Sequence, residues 1–258
     1  KLVVQNEEKE KRAEELGIIV KELESFNYIS SHDLQEPLRQ IQMFCSRISS
    51  GELKHLSDAG KTYFGKINNA AKRMQNLIND LLAYSRTKTE ARKFKIINLN
   101  EIINEVKEEF EEIISDKHAT VEVAELGVAN VITFQFRQLM HNLIGNALKF
   151  SKPETPPHII IKNEKVKSNQ VPNADQLAET EYYHISITDN GIGFEQQYKD
   201  RIFEVFQRLH DKQKIAGTGI GLAIVKNIVE NHNGIITATG ELNKGATFDV
   251  YIPTIQKL

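Results

Sequence analysis

Apolar residues fall into helical spacing from the start of the chain. Leu16, Ile19, Val20, Leu23 and Phe26 recur three or four apart in a segment dense in Glu, Lys and Arg. That pattern predicts a coiled-coil helix over about 1–25. The stripe continues as Leu34, Leu38, Ile41, Cys45 and Ile48, and "SSGELKH" breaks it at Ser49 to His55. A second stripe, with Tyr63, Ile67, Met74, Leu77, Ile78, Leu81 and Leu82, runs from about Asp58 to Ser85. Two long amphipathic helices joined by a short loop predict an antiparallel hairpin. A hairpin has too little core of its own, so its remaining apolar seam predicts a four-helix dimer.

"SRTKTEARKFK", Ser85 to Lys95, reads as a polar, basic linker. Beyond it the pattern mixes two periods. Helices are expected over Asn98–Asp116, Phe134–Phe150 and Ile220–Asn231. Strands are expected at "ATVEV", "HIIIKNEKV" and "YYHISITDN", with a loose polar tip from about Lys167 to Glu181. "GIITATGEL" and "GATFDVYIP" read as a closing hairpin. The expected fold is an α-helical hairpin followed by an α+β two-layer sandwich. Domains are expected at 1–25, 26–90 and 91–258.

Composition narrows the classes. The chain has 258 residues, 40% hydrophobic and 26% charged, with a formal net charge of −2, which gives no electrostatic case for nucleic-acid binding. Its single cysteine, Cys45, forbids an internal disulfide and fits a reducing compartment. No apolar run approaches the roughly 18–20 residues that span a bilayer, and no stretch reads as a signal peptide. The chain opens at Lys1 rather than Met, so it reads as a piece of a longer protein, which leaves room for a sensor or membrane part upstream.

Candidate chemistry then enters at particular residues. His32 lies ~180° around a helix from Ile41 and ~160° from Ile48, away from the apolar stripe. Asp33 follows it directly, where a carboxylate can fix the imidazole tautomer and raise its basicity. Pro37 removes a helical donor and crowds the carbonyl four residues earlier, which predicts a bend just after His32. On position alone, a solvated surface histidine remains the competing reading.

In "HNLIGNALKFS", Asn142, Asn146 and Lys149 share one helix face, opposite an expected buried side of Leu139, Leu143, Ala147 and Phe150. Asn is a poor mid-helix residue, and amide oxygens are hard donors suited to Mg²⁺. Lys149 supplies charge for a phosphate. In "DNGIGF", Asp189 ends a strand and can accept from an exocyclic amine such as that of adenine. Gly191 and Gly193 leave bare backbone for a flat ligand. In "GTGIGLAIVKNIV", Gly217, Thr218, Gly219 and Gly221 open a helix, where backbone amides bind phosphate. That spacing fits neither the dinucleotide fold nor the P-loop. Between the last two motifs, "RIFEVFQRLHDKQKIA" reads as a mobile lid, with Phe203 and Phe206 as anchors.

Taken in order, these motifs resemble the boxes of the sensor histidine kinases. "SHDLQEPLR" is similar to the H-box, "NLIGNALKFS" to the N-box, "DNGIGF" to the first glycine box and "IFEVFQRL" to the F-box. "GTGIGLAIVKNIVENHNG" is similar to the second glycine box and "GATFDVYIP" to the closing strand. The resemblance covers about Phe26 to Pro253, and its wording is similar to the phytochrome-like and PAS-linked soluble kinases. It implies a dimerisation hairpin and a GHKL-type ATP-binding domain, with autophosphorylation of His32 and transfer to an aspartate of a response regulator. Asp33 would orient His32 and help take its proton. Asn146, with Asn142 beside it, would coordinate Mg²⁺, Lys149 would contact phosphate and Asp189 would read adenine. Gly191 and Gly193 would shape the pocket. Gly217, Gly219 and Gly221 would hold the lid hinge and phosphates, and Arg208 would reach the γ-phosphate.

One position departs from the family pattern. Many relatives carry Thr or Asn four residues after the phosphohistidine, where it positions a water for dephosphorylating the partner regulator; here that position is Glu36. Two other readings compete: a non-catalytic pseudokinase dimer scaffold, and an ATPase of the gyrase or MutL type. The latter enzymes place a Glu where Asn142 stands, and an amide cannot serve as that base.

Overall fold

The computed structural model describes residues 34–89, 93–172, 181–209 and 217–256, with side chains of the first stretch described through residue 84. The coiled-coil segment, His32, Asp33 and residues 210–216 of the expected lid lie outside the described residues. The chain divides into two compact units, Lys1–Thr89 and Glu90–Leu258.

In the first unit, helix α1 covers residues 34–47 and α2 covers Asp58–Thr89. The "SSGELKH" segment does not break the helix as expected. It continues as a π turn, Ile48–Glu52, and a 3₁₀ turn, Leu53–His55, and the chain reverses only where Leu56 becomes extended. Pro37 lies within the described helix, and the carbonyl that it would crowd belongs to Asp33, outside it. Leu38, Ala71 and Ile78 form the hairpin core with Leu82 against them, and Cys45 is a buried free thiol. Leu34, Ile41, Met43, Phe44, Tyr63, Ile67, Met74 and Leu77 remain exposed. Large apolar side chains left in such a row mark an interaction face. α2 runs past Ser85 to Thr89, so the first part of the expected linker is helical.

The second unit has a five-stranded sheet of order β2-β4-β5-β7-β6 and a two-stranded ribbon, β1-β3. β1 is Lys95–Asn98 and β3 is Val128–Val131; neither strand is expected from the sequence pattern. β2 is Thr120–Val123, β4 His158–Lys167, β5 Glu181–Asp189, β6 Ile235–Glu241 and β7 Gly245–Pro253. β2 runs parallel to β4, and every other neighbour in the sheet is antiparallel. Val171, just past the end of β4, is buried with Val166 and Tyr251, so the polar tip begins with an apolar clasp.

Helices α3 (Leu99–Glu109), α5 (Thr133–Lys149) and α6 (Gly221–Asn231) supply one layer and the sheet the other. Alternate strand residues such as Ile159, Ile161, Ile185, Ile187 and Val250 are buried, as are Ile103, Leu139, Leu143, Ile224 and Ile228 of the helices. This is period 2 meeting period 3.6 across one core. Asn98 caps α3 by accepting from Asn100 N at 3.0 Å. The single helix expected over Asn98–Asp116 is two: α3 ends at Glu109, Phe110 caps it, and α4 covers Glu111–Asp116. Phe110 lies so close to α5 that a Cβ on Gly145 would sit 3.1 Å from its ring, and it meets His141 at 4.8 Å between ring centroids. A buried histidine ties the ends of two helices. His232 Nε2 accepts from Ile132 N at 2.9 Å, just before α5, and its Nδ1 lies 2.7 Å from Ile228 O. With Nδ1 as the donor, that ring is the neutral tautomer. Among the described residues no helix is long and apolar enough to cross a membrane.

Candidate functional site

The site is built where three chain segments meet at one end of the sheet layer. The first is the C-terminal half of α5. Leu139, Leu143 and Ala147 are buried as expected, while Phe150 is only half-buried. Asn142, Asn146 and Lys149 are half-buried on the side that the spacing predicts. Asn142 Nδ2 is buried with no hydrogen-bond partner among the described residues. An orphaned buried amide costs stability, so its presence on this face marks a ligand surface. Lys149 Nζ lies 4.7 Å from the centre of the Phe150 ring.

The second segment is the turn after β5. Burial pushes the Asp189 carboxyl above the usual carboxylate range, opposed by the backbone N–H groups of Gly191 and Ala246 and by Lys152. Gly191 N donates to Asp189 Oδ1 at 2.8 Å. Asn190 is structural: its Oδ1 accepts from His158 N at 2.8 Å, and its Nδ2 donates to Pro156 O at 3.0 Å. Ile192 N donates to Phe150 O at 2.9 Å, which ties this turn to the end of α5. A Cβ on Gly191 would stand 2.6 Å from that same carbonyl. Gly193 has φ +61° and no room for a side chain against the Glu241 carbonyl.

The third segment leads into α6. A side chain on Gly217 would run into the Lys149 ammonium, and one on Gly221 would stand 3.2 Å from Asn142 Oδ1. Both glycines therefore bring bare backbone against the polar face of α5. Gly219, at φ +77°, accepts from Phe206 N at 2.9 Å through its carbonyl. Thr218 Oγ1 accepts from Ile220 N at 3.3 Å. Of the two expected anchors, Phe203 is buried and meets Phe248 edge-on at 6.5 Å, whereas Phe206 is 65% exposed at φ +65°. The anchor is therefore one ring, Phe203. Arg208 is half-buried two residues later.

Asn142, Lys149, Asp189, Gly191, Gly217 and Gly221 are thus brought to one place by α5, the β5 turn and the start of α6. No group of three or more His, Cys, Asp or Glu able to hold a metal occurs among the described residues. A divalent ion here would take amide and phosphate oxygens instead, and Asn142 and Asn146 fit Mg²⁺ on that donor chemistry. Two residues of the site are missing from the sequence reading. Phe150 reads there only as core, and Lys117, which holds the end of α5, carries no periodic signal.

Comparison with known proteins agrees with this arrangement. The His Kinase A (phospho-acceptor) domain family matches residues 22–90, and the histidine kinase-, DNA gyrase B- and HSP90-like ATPase family matches residues 132–256, which supports ATP binding. Cyanobacterial phytochrome A of a Nostoc species is 34% identical over 90% of this chain and 28% of its own length. Phytochrome-like protein Cph1 of a Synechocystis species is 31% identical over 94% of this chain and 32% of its own length. The chain therefore spans about a third of these relatives. Among solved structures, full-length ShkA in complex with AMPPNP aligns with a TM-score of 0.66 at 20% identity, over 90% of this chain and 46% of that one. The histidine kinase AdeS of Acinetobacter baumannii aligns at 0.56 and 18% identity, over 86% and 98%. With a phosphoacceptor domain followed by an ATPase domain, and relatives of that kind over most of its length, the chain belongs to the histidine kinases.

Proposed function

We propose that this chain is the signalling core of a cytoplasmic two-component sensor kinase. A coiled coil at 1–25 leads from an upstream sensor into the dimerisation and phosphotransfer hairpin of 26–90, followed by the ATP-binding domain of 91–258. The exposed apolar row on α1 and α2 is the seam of a homodimeric four-helix bundle. The observation that carries the reading is the meeting of Asn142, Lys149, Asp189 and three glycines on one face.

Asp189 accepts from the exocyclic amine of adenine, while Gly191 and Gly193 shape the pocket by letting the turn pack against the Phe150 and Glu241 carbonyls. Lys149 holds phosphate oxygens, and the backbone N–H groups from Gly217, Thr218 and Gly219 to Gly221 surround the rest of the chain of phosphates. Asn146 and Asn142 hold Mg²⁺, which neutralises phosphate charge when bound. Arg208 reaches the γ-phosphate. Charge stabilisation and positioning are the main terms in such a transfer. A nitrogen of His32 attacks the γ-phosphorus in line. An N–P bond forms, the bond from phosphorus to the β–γ bridging oxygen breaks, and ADP leaves. Asp33 orients the imidazole and takes up its proton. The phosphoryl group then passes to an aspartate of a response-regulator receiver domain: an O–P bond forms, the N–P bond breaks, and the imidazole takes its proton back from Asp33.

Incubation with γ-labelled ATP tests the reading. The protein should retain label that is labile in acid and stable in base. Tight ATP binding without any such label would leave the pseudokinase scaffold, and release of phosphate without protein labelling would leave the ATPase. Lys149→Gln should weaken ATP binding about 10-fold by calorimetry, with adenosine binding unchanged, because one charge-assisted phosphate contact is lost.

Glu36 bears on the reverse reaction. Arg39 holds its carboxylate through Nε at 3.2 Å and Nη2 at 2.9 Å. A carboxylate repels phosphoryl oxygens, so dephosphorylation of the regulator should be weak. Glu36→Thr should speed the loss of label from a phosphorylated regulator, read by gel, with the autophosphorylation rate little changed.

A further inference from the structure

We infer that Lys117 is a positioning residue for the nucleotide site, acting through the C-terminal end of α5. The inference rests on the nucleotide-binding reading above and deepens it. Helix ends leave their last carbonyls without intrahelical partners. Here Leu148 O takes two donors, Lys117 Nζ at 2.7 Å and Ser151 Oγ at 2.9 Å, and Ser151 Oγ accepts in turn from Lys117 Nζ at 2.9 Å. The three groups close a triangle around the end of the helix. A cation at this end also suits the helix dipole.

Lys117 is itself held. It follows α4 directly, and its N–H donates to Ile113 O at 3.1 Å. The segment that the triangle fixes, Leu148 to Ser151, contains Lys149 and Phe150. Phe150 O accepts from Ile192 N at 2.9 Å and leaves no slack beside Gly191. Gly191 N in turn holds Asp189 Oδ1 at 2.8 Å. A shift of this helix end therefore reaches the phosphate lysine directly and the adenine carboxylate through two hydrogen bonds. Close-packed interiors transmit such shifts rather than absorb them.

A competing role is direct contact with phosphate. Lys117 and Lys149 both line a groove of about 360 Å³ between α4 and α5, with Phe110, Ile113, Gly145 and Leu148. The two roles differ in what they do to different ligands. Calorimetric titration of wild type, Lys117→Met, Lys117→Arg and Ser151→Ala with ATP, ADP and adenosine separates them. Lys117→Met should weaken adenosine by about 5-fold, and ATP and ADP by at least as much because Lys149 moves too. Lys117→Arg should keep most of the affinity, and Ser151→Ala should show a smaller loss that again includes adenosine. Melting temperatures without nucleotide should stay close to wild type. Wild-type affinity in Lys117→Met overturns the inference, as does a loss confined to ATP and ADP. If Lys117→Met does not fold, a loss in Ser151→Ala that spares adenosine, or no loss at all, overturns it instead. Failure of the wild type to bind any of the three ligands would defeat the nucleotide reading itself.

Discussion

Replacing His32 with glutamine is expected to abolish the acid-labile label from γ-labelled ATP, with ATP affinity unchanged by calorimetry. The amide of Gln matches the imidazole in size and polarity but has no nucleophilic nitrogen lone pair, since it is delocalised into the carbonyl. A covalent intermediate cannot form without a nucleophile, however well the rest of the site is arranged. The residues proposed to hold nucleotide all belong to the other unit, so binding should not follow the loss of labelling. Asp33→Asn belongs to the same experiment. It keeps the imidazole and removes only the base that orients it and takes its proton, so labelling should persist but slow by about 100-fold. Equal label on wild type and His32→Gln would move the phosphoacceptor elsewhere and end the proposed chemistry.

Much of this was legible because the sequence repeats its message at several levels. α5, α6, β4, β5 and β7 are long and strongly periodic, and each appears close to its expected bounds. The site residues were legible for a different reason. Paired asparagines inside a helix, and glycines at a helix start, are costly choices that local structure alone does not explain. The failures are equally physical. β1 and β3 have four residues each and pair only with one another, too short for an alternation to stand out. Phe110 fits the apolar spacing of α3, so the pattern runs straight across a break that its ring contact with α5 imposes. Ser85 to Thr89 contains neither Gly nor Pro, and a polar run without a breaker can remain helical. Lys117 acts on a carbonyl, and a contact to backbone leaves no trace in the spacing of side chains.

The second large effect is expected at Asp189. Asp189→Asn should weaken ATP about 100-fold, because an acceptor facing an amine becomes a donor facing a donor, and the lost bond involved a charged group. The same substitution should raise the melting temperature without nucleotide. Burial is the dominant influence on this carboxyl and holds its pKa above the ordinary value, against the pull of Gly191 N–H, Ala246 N–H and Lys152. In the window from about pH 4 up through that raised value, the folded state binds more protons than the unfolded one. Stability attributable to Asp189 therefore falls as pH rises across the window, and the ionised group is a burden on the nucleotide-free fold at neutral pH. The neutral amide of the variant carries no such burden, and its oxygen can still accept from Gly191 N. The wild type should thus lose stability relative to Asp189→Asn as pH rises from about 4, read by thermal melts across a pH series. Addition of ATP at neutral pH should reverse the ranking, since ligand stabilises only the protein that binds it. A variant that melts lower than wild type at every pH without nucleotide would show instead that the carboxylate holds the β5 turn together, and that its place in the pocket is structural.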